Sequence, residues 1–324
     1  MFTSKDIQYR TIFVINCIKE RNLRVSNGEL LLEETTEKKT LTKMPFQKIL
    51  ALFVIGHISI TTPLIEKCKK FNVALIVVKP NLRPVFYWAD SAEANYLLRQ
   101  KQHLQTKSDL RIAKALLSNK IQNQITLLNN TRRKDEITNK AIQICSACLQ
   151  RIPEELDYQT LMGYEGFASK AFFAAYYQDL QWRGRFPRAK CDAVNVALDI
   201  GYTILFNFVE CFVRMFGFDL YIGVFHRLWF KRKSLVCDVM EPFRCIIDRT
   251  VRTAFHRKQF TPKDFTLEKR EYKLKKELSQ DYYKVFVEAL MVHKMSIFRF
   301  VQSYYRAFMR NAPTNQYPQF CISP

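Results

Sequence analysis

Glycine is scarce in this sequence: there are eight in 324 residues, and nowhere do they gather into a loop that could cradle a phosphate. Nucleotide-driven motors, kinases and dinucleotide enzymes depend on such a loop, because only glycine lets the backbone approach the phosphates closely. Those classes are excluded. Long apolar runs are also missing. Uninterrupted stretches fall well short of the roughly 18 residues needed to span a membrane, and Asn207, Glu210 and Arg214 share one helical face of the most apolar region, 202–225. The opening MFTSKDIQYR holds no apolar segment followed by small residues, so no secretory signal is read there and a cytoplasmic protein is expected. Nine cysteines, an odd number without a dense framework, fit reduced thiols better than disulfides. Cys145 and Cys148 form a lone C-x-x-C with no second ligand pair nearby, which reads as buried helix cysteines rather than zinc. Internal repeats and low-complexity segments are absent as well.

What is present in excess is positive charge. Lys and Arg number 51 against 30 Asp and Glu, a formal net charge of +21, far beyond what solubility requires; a polyanionic partner is implied. With 25% charged and 48% apolar residues, the chain has the composition of a folded globular protein.

Two regimes divide it. Thr11 to Ile15 is β-branched and apolar, Leu23 to Val25 and Glu29 to Leu32 flank an Asn27-Gly28 turn, and Val73 to Val78 is a further strand. Ile49 to Ile60 is a buried apolar stretch, and Thr61 to Phe71 has helical spacing after a Thr-Thr-Pro start. Beyond about residue 90, apolar residues recur every three or four positions in runs rich in Leu, Ala, Lys, Gln and Glu, the signature of amphipathic helices. The expected architecture is α+β: a β-sandwich-like domain over 1–90, a linker near 88–95, and an α-helical domain over 91–324.

Three helical-half residues stand out chemically. Glu165 lies between Gly163 and Gly166 in an apolar segment read as the head of a helix; it either caps the positive helix end or, if buried, needs a cation or donors. His226 follows an apolar approach and precedes a basic turn, Lys231-Arg232-Lys233, which leads to Asp238 and Glu241. That last pair, three apart, fits either a capping box or two carboxylates on one helix side. Taken together, carboxylate, imidazole and carboxylate form a mixed O/N set suited to Mg²⁺ or Mn²⁺, and the basic surroundings suggest phosphodiesters.

These residues carry a resemblance to the CRISPR-associated spacer-acquisition integrase and endonuclease family (Cas-one). MPFQKILALFVIGHISITTPLIEKCKKFNVALIVV, 44–78, resembles that family's β-domain. Arg99 and Gln102, Lys120 to Gln124, the Glu165 segment, Arg185-Phe186-Pro187 leading to Asn195, Gly223 before His226, and DVMEPFR, 238–244, follow in order. The resemblance covers most of the chain. It implies a metal-dependent enzyme that inserts short DNA fragments into a CRISPR array by 3′-hydroxyl attack on a phosphodiester. Glu165, His226 and Glu241 are implied to hold the ion, with Asp238 a nearby fourth acid of the catalytic set. Arg227, Lys231, Arg232, Lys233 and Arg244, with Arg183, Arg185, Arg188 and Lys190 as a second cluster, read as phosphate contacts or as solvated basic residues. The implied partners are DNA, a second copy through the β-domain, a dimer of dimers, and a small second adaptation protein; no membrane is implied. Two alternatives remain at this level: a metal-dependent nuclease that hydrolyses branched DNA, and a non-catalytic basic DNA-binding scaffold.

Overall fold

The computed structural model describes residues 9–17, 21–35, 39–89, 95–105, 109–132, 134–180, 182, 184–186, 189–268 and 270–323. It forms two compact units, one of residues 1–102 with 210–219 and one of 103–209 with 220–324. Of the expected linker, 90–94 lie outside the described residues.

The first unit is strand-rich. Strands β1 (Thr11–Cys17), β5 (Ile49–Gly56), β6 (Ala74–Val78) and β7 (Pro84–Trp88) make a sheet in the order β1-β5-β6-β7, with the first two pairings parallel and the last antiparallel. Strands β2 (Arg21–Ser26), β3 (Glu29–Glu34) and β4 (Thr40–Pro45) make an antiparallel sheet. The β2–β3 hairpin turns on Asn27 and Gly28, whose φ angles of 49° and 78° are the left-handed pair that a tight hairpin needs. Central strands β5 and β6 are buried on both faces, as parallel strands are. Leu52, Val54, Leu75 and Val77 from them share one core with Leu23, Leu30 and Leu32 of the second sheet and with Leu64 and Cys68 of helix α1 (Thr62–Lys70). Two sheets around one core give the sandwich-like arrangement expected. The β4 and β7 strands were not expected from the sequence.

In the same unit, helix α2 (Tyr96–Leu104) is tied to 216–219: Asn95 Nδ2 donates to Phe216 O, Arg99 Nε to Gly217 O, and Gln102 exchanges two hydrogen bonds with the Asp219 backbone.

The second unit is helical, built from α3 (Arg111–Asn129), α4 (Glu136–Arg151), α5 (Tyr158–Tyr176), α6 (Ala193–Met215, ending in the first unit), α7 (Ser234–Met240), α8 (Arg244–His256), α9 (Ser279–Val292) and α10 (Lys294–Met309). A small hairpin, β8 (Phe265–Glu268) with β9 (Glu271–Leu274), departs from the all-helical expectation. Helix α6 is long and apolar enough to cross a membrane, yet 78% of its most apolar window is buried within the protein; it is built as a core helix. Glu210 is buried there and receives Nε and Nη2 of Arg214 at 2.9 and 2.8 Å. Cys145 and Cys148 are buried free thiols on α4, and burial pushes the Cys145 thiol up to about 12. This is packing cysteine.

Helix α3 is buried on several sides, polar side chains included. Asn119 donates to Phe320 O and accepts from Phe320 N, both at 2.8 Å. Asn123 donates to Pro242 O and Phe320 O and accepts from Ile322 N. Buried amides persist only when paired in this way. Through them α3 holds the carboxy-terminal segment and the turn that carries Glu241.

Candidate active site

Helix α5 begins at Asp157, whose carboxylate accepts the Thr160 N–H as its N-cap. Glu165 therefore sits two turns inside the helix, and the expectation that it heads the helix is corrected: Asp157, not Glu165, meets the helix dipole. A mid-helix carboxylate that is 73% buried needs a cation. Lys120 of α3 supplies it, and the Ser169 hydroxyl donates at 3.0 Å.

The same lysine reaches a second acid. Helix α7 runs into a 3-10 turn at Glu241-Pro242-Phe243, where the proline takes an early position that has no hydrogen bond to lose. That turn directs the buried Glu241 carboxylate at Lys120, with Nζ 2.7 Å from Oε2, while Arg244 Nε lies 2.9 Å from the same oxygen. Two cations thus converge on one carboxylate oxygen and compensate its charge. Burial pushes the Glu241 carboxyl up, but Arg244 and Lys120 outweigh it and hold the group down at about 2. Glu165 is lowered chiefly by Lys120, and burial of Lys120 is outweighed by its two carboxylates, which keep it charged.

Asp238 is neither the helix cap nor a wall of the cavity. It lies inside α7, fully buried, and its two oxygens accept the N–H groups of Val224, Phe225 and His226 at 2.6, 3.0 and 2.9 Å. His226 Nδ1 lies 2.6 Å from Oδ1. A carboxylate can only accept, so Nδ1 carries the proton and Nε2 is the nitrogen left for a ligand. Asp238 is thus a positioning residue for His226. Gly223 permits this close packing: a Cβ there would lie 2.6 Å from Asp238 Oδ2 and 2.8 Å from His226 O.

Glu165, His226 and Glu241 line one cavity of about 1270 Å³, whose walls include Lys120, Arg185, Lys190, Lys231, Arg232, Lys233, Arg244 and Asp248. Arg244 also lies 4.6 Å over the Tyr202 ring. Arg185 is committed to Asn195 and Asp199, and Lys190 lies 3.4 Å from Glu271. Arg227 is not among the cavity residues; its guanidinium lies 4.4 Å over the Tyr158 ring. Arg183 and Arg188 lie outside the described residues.

Two oxygen acids and an imidazole are the right donor types for a hard divalent cation. The sequence expected the three to share one ion, but among the described residues no group of three His, Cys, Asp or Glu side chains is close enough to do so. Lys120 stands between the two glutamates instead. Ser169 and Asp248 were not expected from the sequence, and Lys120 entered only as the start of the Lys120 to Gln124 segment of the family resemblance, with no role attached.

The family model for CRISPR associated protein Cas1 matches residues 17–288. A CRISPR-associated endonuclease Cas1 of Thermodesulfovibrio yellowstonii is 26% identical over 266 residues, which cover 79% of this chain and 82% of the relative. Among solved structures, a partial Cas6-RT-Cas1–Cas2 complex superposes with a TM-score of 0.83 at 17% identity, covering 97% of this chain and 100% of that one. A casposase bound to integration product gives 0.65 at 17% identity over 97% of this chain and 95% of that one.

Proposed function

The chain belongs to the CRISPR-associated Cas1 family, and from that membership and its cavity we propose that it is a DNA integrase and endonuclease of CRISPR adaptation. The observation that carries the reading is one cavity in which Glu165, His226 and Glu241 meet a rim of Lys231, Arg232 and Lys233. Acids and cations lining one cavity suit a phosphodiester whose backbone is held while one phosphorus reacts. The similarity to a casposase bound to integration product supports joining, and the relatives named as endonucleases support cleavage.

In this reading the basic rim binds and orients the phosphate backbone, lowering the entropy of bringing a 3′-hydroxyl in line with the target phosphorus. Arg244 and Lys120 place fixed positive charge beside the carboxylates, where it offsets charge that develops on phosphoryl oxygens. For Glu165, His226 and Glu241 to hold Mg²⁺ or Mn²⁺, which would supply Lewis-acid stabilisation of the same oxygens, Lys120 would have to leave its place between the two glutamates and the three side chains draw together. Asp238 fixes the imidazole so that Nε2 is presented. The partners inferred are DNA, a second copy through the strand-rich unit in a dimer of dimers, and a Cas2 protein; one structural neighbour is itself a Cas1–Cas2 complex. The test is integration of a labelled short duplex into a supercoiled plasmid carrying a CRISPR array. A covalent joint that requires divalent metal supports the reading; hydrolysis alone favours a branched-DNA nuclease, and binding without either reaction a scaffold.

A further inference from the structure

The two glutamates of the cavity are already answered by cations. Lys120 Nζ contacts Glu165 Oε1 and lies 2.7 Å from Glu241 Oε2, and Arg244 Nε lies 2.9 Å from that same oxygen. Two positive charges therefore face two negative ones, with Lys120 and Glu241 buried, and a balanced set of this kind has little net field to draw in a divalent ion. Space is contested as well. A hard cation sits about 2.0–2.6 Å from a carboxylate oxygen, so an ion shared by Glu165 and Glu241 would need the volume that the ammonium fills. With the ammonium there, no three His, Cys, Asp or Glu side chains among the described residues come close enough to share an ion.

The lysine is anchored at its backbone and not at its tip. Asn119 and Asn123, on either side of it along α3, bond the backbone of Phe320, Ile322 and Pro242, which fixes the helix against the turn that carries Glu241. Only the flexible four-carbon stem is left to move. The cavity that Lys120 lines, about 1270 Å³ in volume, leaves room for the ammonium to swing away from the acids. As a pure stabiliser the arrangement is a poor choice, because a buried ion pair gains little over well-packed apolar side chains.

We propose that Lys120 is a resident cation occupying the place of the divalent ion, so that the ion enters only by displacing the ammonium into the cavity. The inference rests on the reading that Glu165, His226 and Glu241 take Mg²⁺ or Mn²⁺. Lys120 then sets how tightly the centre takes its ion without being a ligand to it. Once it has swung out, Arg244 alone faces two acids, the set carries a net negative charge, and the released ammonium is free to meet a DNA phosphate.

Binding of Mn²⁺ to the full-length protein without DNA, counted by loss of the free-ion electron paramagnetic resonance signal, tests this. Lys120→Met keeps the bulk of the stem, removes the charge, and should bind Mn²⁺ about tenfold more tightly than wild type. Adding Glu241→Gln to Lys120→Met should cancel the gain, which locates it at the two acids. Thermal unfolding gives an independent reading: without ion Lys120→Met should melt below wild type, and Mn²⁺ should raise its midpoint by more than it raises that of wild type. Should the variant not fold, wild type alone decides, since acetic anhydride labelling read by peptide mass should spare Lys120 without ion and modify it once Mg²⁺ is added. Equal or weaker Mn²⁺ binding by Lys120→Met would make Lys120 a supporting cation and overturn the proposal, while ion binding by both proteins would leave the metal reading intact. Labelling of Lys120 that Mg²⁺ does not change would overturn it too. No Mn²⁺ binding by either protein would remove both the proposal and the metal reading.

Discussion

The carboxylate of Asp238 illustrates how a single residue sets the chemistry of its neighbour. It satisfies three backbone N–H groups and the His226 ring from a fully buried position. Asp238→Ala orphans all four donors, so thermal denaturation should register a loss of about 3 kcal/mol, and DNA joining should fall because Nε2 is no longer held in place. Asp238→Asn keeps one acceptor oxygen: turned to His226 it sets the amide NH₂ against the Val224 and Phe225 N–H groups, and turned to them it leaves Nδ1 without an acceptor, so it should recover only part of the stability and of the joining. Asp248 offers a pH test. Burial, only partly offset by the Tyr202 hydroxyl at 2.5 Å, raises its carboxyl from 3.8 to about 6. Below the lower value both folded and unfolded chains are protonated and nothing changes. Between the two values the unfolded chain ionises while the folded one stays neutral, so stability falls as pH rises, by up to about 3 kcal/mol in total. Asp248→Asn should flatten that part of the stability profile; an unaltered slope from pH 4 to 6 would contradict the assignment.

Elements show where the sequence was legible. Strands β1, β5 and β6, the Asn27-Gly28 hairpin and helix α1 were readable because each has a buried face or a turn that demands particular residues. Strands β4, β7 and β8 are mostly or partly solvated at sheet edges, so no apolar alternation betrays them. Helix α5 misled for a local reason: Gly163 and Gly166 look like a helix start, whereas the signal lies at Asp157, three residues before Thr160. The Glu165, His226 and Glu241 positions could be singled out from residue type and family resemblance. Lys120 was marked only as the start of the Lys120 to Gln124 segment of that resemblance; its role could not be read, because a lysine in a Lys- and Gln-containing helix resembles a solvated face until tertiary packing brings two carboxylates to it. The loop between Gly223 and α7 is equally a tertiary product. Gly223→Ala would drive a methyl into Asp238 and the His226 carbonyl, displacing the loop at a cost of about 1–3 kcal/mol; a crystal structure of a fully stable variant with the loop in place would refute that packing.

For the whole molecule, the 51 basic against 30 acidic residues predict that the proposed association with DNA weakens as salt rises. Reversing the charges of Lys231, Arg232 and Lys233 should weaken binding to every sequence and reduce the log–log salt slope by about 0.9 for each phosphate no longer neutralised. Fluorescence anisotropy across a salt titration reads both effects, and an unchanged slope would show that the rim does not meet phosphate. The strand-rich unit should mediate self-association, which light scattering with and without DNA would detect; a strict monomer in both conditions would contradict it. Above all, Glu165, His226 and Glu241 should work as one centre for phosphodiester joining. Transfer of a labelled short duplex into a supercoiled array plasmid probes this without intermediaries, using wild type, Glu165→Ala, His226→Ala and Glu241→Ala, alongside DNA binding by the same proteins. In Mg²⁺ or Mn²⁺ wild type should form the covalent joint while each variant binds DNA and forms none; strand transfer by the variants at near wild-type rates would show that the three residues are not the reacting centre.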